Sequence, residues 1–176
     1  MLSKQTKDAR TVTVASSMSG EGKSSVSSQL AISLAKACGE TVLLVDADLR
    51  SPDQHDIFGL EMGPGLAGIM AGEANLKDAV DDTLGELVHV LPAGRMTQSP
   101  HRLLSTEGMR ALLDNALETY KYVIVDTAPV LSAGETLAVA AQTDATLVCV
   151  MRDVSRSDAV LRSSRRLEAA GANVVG

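Results

Sequence analysis

The stretch Ser17-Met-Ser-Gly-Glu-Gly-Lys-Ser24 constrains this chain more than any other. It follows Thr11-Val-Thr-Val-Ala-Ser16, which alternates like a β-strand, and it opens residues 24–37, where Val26, Leu30, Leu34 and Ala37 share one helical face. Strand, glycine loop and helix form the context in which G-x-x-x-x-G-K-[ST] binds phosphate. Gly22-Lys23-Ser24 fits the end of that pattern, whereas Ser17 stands where its first glycine belongs. Gly20 and Gly22 let backbone N–H groups converge on phosphate oxygens, and the helix N-terminus adds its positive end. Lys23 can then reach the β- and γ-phosphates, and the Ser24 hydroxyl can bind Mg2+. The alternative is a glycine turn with Ser24 near a helix cap.

The same alternation recurs down the chain. Gly39 stops the first helix, and Thr41-Val-Leu-Leu-Val45 is the unbroken apolar strand that a sheet covered on both faces requires. Residues 46–86 hold eight Gly or Pro and read as loops with short helices. Strands are expected at 87–91, 122–125 and 145–151, helices at 103–119, 133–142 and 158–170, and the start of a sixth strand at 173–176. The helix at 103–119 should turn Leu104, Ala111, Leu112, Asn115 and Ala116 inward, and the last helix Val160, Leu161, Ser164 and Leu167. This order predicts an α/β fold with a mostly parallel sheet, helices on both faces, and a ligand crevice at the carboxyl ends of the strands.

Composition narrows the function. The 176 residues amount to one domain, 1–176, able to bury a core without disulfide or metal. Two Tyr, one Phe and no Trp leave little to stack on bases, and 16 basic against 22 acidic residues give a net charge of −6. Nucleic acid is therefore not an expected partner. Cys38 and Cys149 lie in apolar stretches and read as reduced core cysteines of a cytosolic protein. No apolar run has membrane-spanning length, and residues 1–10 are too polar for a signal peptide. His55, His89 and His101 lack metal-ligand spacing.

Two strands end in carboxylates: Asp46-Ala-Asp48-Leu-Arg50 and Asp126-Thr-Ala-Pro129. A phosphate-loop nucleotide needs an acid to hold the metal's water shell, and Asp126 suits that role. Asp46 and Asp48 are more than one metal needs, so one of them can act as a base or orient a nucleophile. Alternatively, an Asp at a strand end caps the following turn.

Taken together, Ser16-Ser-Met-Ser-Gly-Glu-Gly-Lys-Ser-Ser25, Val42-Leu-Leu-Val-Asp-Ala-Asp-Leu-Arg50 and Tyr122-Val-Ile-Val-Asp-Thr-Ala-Pro129 resemble the Walker A, A′ and B motifs of bacterial tyrosine kinases. These are the cytoplasmic autokinase domains of capsule and exopolysaccharide biosynthesis. The similarity extends through His55, Phe58-Gly-Leu60, Gly65-Leu66, Ala71-Gly-Glu73 and Leu91-Pro-Ala-Gly94. The resemblance implies a three-layer P-loop NTPase fold and an ATP- and Mg2+-dependent protein-tyrosine autokinase at the inner face of the plasma membrane, controlling polysaccharide chain length and export. It implies nucleotide binding by Ser19, Gly20, Glu21, Gly22, Lys23, Ser24 and Ser25, and a metal held by Ser24, Asp48 and Asp126. Asp46 would be the base for a tyrosine hydroxyl, with Asp46 and Asp48 able to exchange roles. The implied partners are a membrane-anchored activator chain or fused transmembrane segment, the tyrosine-rich tail of a neighbouring subunit, and further copies in a ring.

The chain also departs from that family. Ser19 replaces a Pro, Gln98-Ser-Pro-His-Arg-Leu-Leu104 replaces a Pro-Asn-Pro-x-Glu-Leu-Leu stretch, and Arg102 reverses a charge near the expected nucleotide edge. A tyrosine tail and a Glu-x-x-Arg-x-x-Arg helix are absent, as in a segment cut at both ends. Tyr120 and Tyr122 are expected to pack at a strand start, Arg162, Arg165 and Arg166 to face solvent, and Glu21 to be a solvated loop acid. Two other functions compete: a positioning ATPase of the cell-division or plasmid-partition type, weakened by Met18 at its signature-lysine position, and a non-catalytic nucleotide-binding regulator of polysaccharide export.

Overall fold

The computed structural model describes residues 8–96 and 98–176, so the opening seven residues and Thr97 lie outside the described part. In chain order the elements are β1 (Thr11–Ser16), α1 (Lys23–Cys38), β2 (Val42–Ala47), α2 (Gln54–Phe58), α3 (Gly65–Met70), α4 (Leu76–Ala79) and β3 (Val88–Leu91), followed by α5 (Pro100–Leu103), α6 (Thr106–Thr119), β4 (Tyr122–Thr127), α7 (Glu135–Ala140), β5 (Ala145–Cys149) and α8 (Ser157–Ala169). The strands form one sheet in the order β3-β2-β4-β1-β5, and every pairing is parallel. The expected sixth strand is reduced to a parallel bridge between Val174 and Thr146.

Strand side chains alternate between faces, so each strand feeds two cores. Leu43, Val45, Val123 and Val125 pack with Leu66 of α3 and Met109, Leu112 and Leu113 of α6. Val42, Leu44 and Ile124 pack on the other side with Ala31 and Ala35 of α1. This is the three-layer arrangement expected from the sequence. The alternation also places Asp46 and Asp126 on the Leu44 and Ile124 face, beneath α1. The register sets them directly opposite one another on neighbouring strands. β1 continues into α1 on this face, while neighbouring β4 continues into α7, whose Val139 packs on the other. The chain therefore parts to opposite faces between β1 and β4, which opens a crevice at their carboxyl ends.

Two short stretches are locked together across that end of the sheet. Leu66 and Ala67 donate their N–H groups to the Pro92 and Ala93 carbonyls, both at 2.8 Å. Gly65 and Gly94 take positive φ (53° and 78°), and a Cβ on Gly94 would strike the Pro64 carbonyl. Gly94→Ala is expected to cost about 2–4 kcal/mol, combining left-handed strain with a backbone clash. Urea unfolding measures this, and a loss below half a kilocalorie would show that the two loops can separate freely.

Three helix faces differ from the sequence pattern. The sheet-facing side of α1 carries Ser24, Ser27, Ser28, Ala31 and Ala35, while Val26 is 43% exposed and Ala37 is exposed. Small side chains let α1 lie close over β1, β2 and β4, and its larger residues flank that contact. α6 buries Met109, Leu112, Leu113 and Ala116, with Ala111 and Asn115 outside. It starts three residues later than expected because Ser105 is extended and caps it by accepting from Gly108 N–H, and Leu103 instead ends the separate α5. α8 buries Ala159, Ser163 and Leu167, and Leu161 faces solvent. Cys38 is exposed at the end of α1 and Cys149 is only half-buried, so neither is the core cysteine expected.

Tyr120 is buried and meets His89 edge-on, its hydroxyl 3.1 Å from Nδ1, as packing at a strand start predicts. Arg162, Arg165 and Arg166 are exposed. Among the described residues no helix is long and apolar enough to cross a membrane.

Candidate functional site

The loop between β1 and α1 is shaped by its own polar groups. Ser16 Oγ donates to the Met18 carbonyl (2.8 Å), and Met18 N–H donates to Glu21 Oε2 (2.7 Å). Glu21 is thus folded under the loop and 3% exposed, which corrects its expected place in solvent. Gly22 caps α1 in the left-handed region at φ 82°, and any Cβ there would press on the Met151 side chain at 3.2 Å. The first-turn N–H groups of α1 are left for a ligand. Val130 N–H donates to the Ser16 carbonyl (2.9 Å), joining the loop to the segment after β4.

A cavity of about 220 Å3 lies over this loop, lined by Ser19, Gly20, Gly22, Lys23, Ser24 and Ser25 and closed by Asp48, Ser51, Asp53 and Met151. It is smaller than the roughly 300 Å3 at which drug-sized sites begin, so it is scaled to the phosphate part of a ligand. Of the binding residues expected from sequence, Glu21 alone does not line it.

Two of the catalytic candidates, Lys23 and Asp48, meet at its wall. Lys23 Nζ lies 2.9 Å from Asp48 Oδ2 and 3.3 Å from Ser24 Oγ, and the Ser24 hydroxyl reaches Asp53 Oδ2 at 3.3 Å. Burial pulls the Lys23 pKa down, but Asp126, Asp48 and Asp53 outweigh it and hold the group above its ordinary value. Lys23 is therefore a cation at every physiological pH.

Asp46 and Asp126 are fully buried. Asp46 Oδ1 accepts from Asp48 N–H (3.1 Å), and Oδ2 accepts from Asp53 N–H (3.2 Å) and Gln54 N–H (3.0 Å). Burial first, then the Asp126 charge, push its pKa up to about 7, against those backbone donors. Asp126 is raised by burial, opposed by Lys23 and by hydrogen bonds that include Gln54 and Ser27. Asp46 stands behind Asp48 and Asp53 and does not line the cavity, whereas Asp48 does. The Ser27 hydroxyl lies 2.8 Å from the Lys23 carbonyl and 3.1 Å from Asp126 Oδ1, donating to one at a time.

The donor set suits Mg2+. Among the described residues no three His, Cys, Asp or Glu side chains meet at one point. Mg2+ keeps several waters and takes few protein ligands, so one hydroxyl with acids a water away is a fitting environment. Ser24 supplies the hydroxyl and Asp48 the acid at the cavity wall, while Asp126, fully buried, stands beneath and does not line the cavity.

Sequence reasoning missed Gln54, Asp53, Ser27 and Met151. Gln54 and Asp53 follow Pro52 with no motif around them, and only the fold brings them back under the loop. It also missed the Arg50–Glu135 pair, 2.5 Å apart, in which a buried Glu135 anchors the chain after Asp48. Burial would raise the Glu135 pKa, and the Arg50 hydrogen bond overcomes this and lowers it. Arg102 is exposed on α5 and does not line the cavity, so its reversed charge lies away from the phosphate site.

The AAA domain family matches residues 9–157. Tyrosine-protein kinase YwqD of Bacillus subtilis is 29% identical over 167 residues, covering 95% of this chain and 70% of that protein. The kinase domain of the Escherichia coli tyrosine kinase Etk superposes with a TM-score of 0.91 at 30% identity, covering 97% of this chain and 66% of that domain. Against the full length of Etk the chain is 33% identical over 155 residues and spans 21%. The septum site-determining protein MinD of Pyrococcus horikoshii, in complex with Mg-ADP, has the same fold, with a TM-score of 0.80 at 22% identity over 95% of this chain and 68% of that one.

Proposed function

Because the chain belongs to the AAA domain family and to the bacterial tyrosine kinases within it, we propose that it is an ATP- and Mg2+-dependent protein-tyrosine kinase. The observation that carries this reading is the Lys23 ammonium, 8% exposed and held by Asp48 at the wall of a phosphate-sized cavity. When bound, Mg-ATP supplies the γ-phosphoryl group and the metal's neutralising charge. Lys23 and the N–H groups of the loop bind the phosphates. The Ser24 hydroxyl is the direct metal ligand, and Asp48 and Asp126 orient its water. Asp46 is the candidate base for a tyrosine hydroxyl, reached from behind the cavity wall, and Asp48, which lines the cavity, is able to exchange that role. The raised pKa of Asp46 suits a base near neutral pH.

The three motifs further support a role in controlling polysaccharide chain length and export from the cytoplasmic face of the membrane. In that role a membrane-anchored activator or a fused transmembrane segment positions the domain, and the acceptor is the tyrosine-rich tail of a neighbouring copy in a ring. Met18, 52% exposed, gives the loop no cation at the position where a positioning ATPase carries its signature lysine.

The test is incubation with γ-labelled ATP, Mg2+ and a tyrosine-containing peptide. Labelled phosphotyrosine is expected. Hydrolysis with ATP-dependent dimerisation but no phosphotyrosine would assign the chain to the positioning ATPases, and binding with neither would make it a regulator.

A further inference from the structure

We propose that Gln54 is a positioning residue that holds the phosphate loop and the Walker B acid in register for the metal-bearing nucleotide. This rests on the phosphate-site reading above. Gln54 is the first residue of α2, belongs to none of the recognised motifs and is fully buried. Its Nε2 donates to Asp126 Oδ2 at 2.7 Å and to the Ser24 carbonyl at 3.1 Å. A carbonyl oxygen cannot donate and a carboxylate only accepts, so the amide must present its NH2 end to both. Both of its protons are then in use, and Oε1 is left buried without a partner. Through its backbone N–H the same residue bonds Asp46 Oδ2 at 3.0 Å. One side chain and its own amide thus connect three separate pieces: the first turn of α1, the end of β4 and the end of β2.

This arrangement is a poor way to stabilise a core. The side chain satisfies two acceptors at the expense of leaving its own Oε1 unpaired, so burial alone does not account for an amide here. It is an effective way to fix a distance. Ser24 carries the hydroxyl that suits a metal ion, and Gln54 grips the carbonyl of that same residue. Asp126 carries the acid that orients the metal's water, and Gln54 grips its carboxylate. The amide therefore sets the separation of the two residues that would hold the ion. Outer partners of this kind are worth about 10–100-fold in metal affinity elsewhere.

Gln54→Met keeps length and volume and removes both donors. The measurement is calorimetric affinity for ADP with and without Mg2+, for parent and variant, beside the melting midpoint of each. The factor by which Mg2+ strengthens ADP binding is expected to fall about tenfold in the variant, while ADP affinity without Mg2+ stays within about twofold of the parent. A Mg2+ factor equal to that of the parent overturns the proposal. Affinities that drop in parallel with and without Mg2+, together with a lower midpoint, also overturn it, since the residue would then be structural. If Gln54→Met does not fold, Gln54→Glu keeps the shape and turns a carboxylate toward Asp126, and the same loss of the Mg2+ factor is expected. A parent that binds no ADP under either condition would bring down the phosphate-site reading as well, which separates that failure from one confined to Gln54.

Discussion

Lys23→Met should abolish measurable Mg-ATP binding, with affinity falling at least about 100-fold. A lysine on phosphate makes charge-assisted bonds worth about 1.5–3 kcal/mol each, and a thioether replaces none of them. The variant should also unfold more readily. Lys23 neutralises Asp48 at 2.9 Å and stands in the field of Asp126 and Asp53, so its loss leaves buried carboxylates without a counter-charge. Breaking a buried pair typically costs 3–5 kcal/mol, and about 2 kcal/mol is expected here because the cavity admits water. The loss should shrink as pH falls, because burial raises the pKa of Asp126 and the acid left without Lys23 then takes up a proton more readily. Titration calorimetry and thermal melts at pH 5 and pH 8 measure both effects. Unchanged affinity for Mg-ATP would remove Lys23 from the site and the kinase reading with it.

Asp46→Asn should lower phosphoryl transfer about 10²–10⁴-fold, the usual contribution of a positioned base, while ATP still binds. Asp48→Asn is the control. It releases Lys23 from its partner and should weaken binding first. Retained transfer in Asp46→Asn with loss in Asp48→Asn would move the base to Asp48, which lines the cavity where Asp46 does not. The pH dependence of stability gives an independent reading. The Asp46 carboxyl titrates near pH 7 in the folded protein and near 3.8 when unfolded, so the native state binds the proton more tightly. Its stabilising contribution is greatest at low pH and fades as pH rises toward 7. Without nucleotide or metal, the stability difference between variant and parent should therefore move in the variant's favour by about 2 kcal/mol from pH 5 to pH 8. A difference that stays flat across that range would show the two buried carboxylates to be fully compensated by their hydrogen bonds.

The parts of this site that can be read from sequence are those whose chemistry is local. A glycine loop between strand and helix, and an Asp closing an apolar strand, declare themselves because backbone conformation and residue type agree over a few positions. The strand order could not be read that way, yet it decides that Asp46 and Asp126 face each other. The inner side of α1 is legible only in part: Leu30 and Leu34 pack against the core as the periodicity expects, but serine and alanine make the close contact with the sheet and Val26 is left outside. Gln54 was invisible because an amide gains meaning only from what surrounds it. Glu21 looked like an exposed loop acid, and a single backbone N–H from Met18 turned it inward.

The serine-lined side of α1 also bears on how the protein opens. Ser24, Ser27 and Ser28 bury little apolar surface, so the first two turns are held to the sheet by a few polar bonds rather than by the hydrophobic contact that secures Ala31 and Ala35. The amides of residues 27–31 should therefore exchange with deuterated solvent through a local lifting of the helix start, at a lower free energy than those of β4. A phosphate gripping the loop would close that motion. Ligand binding would then register as slowed exchange at the start of α1, while the sheet beneath it stays unchanged.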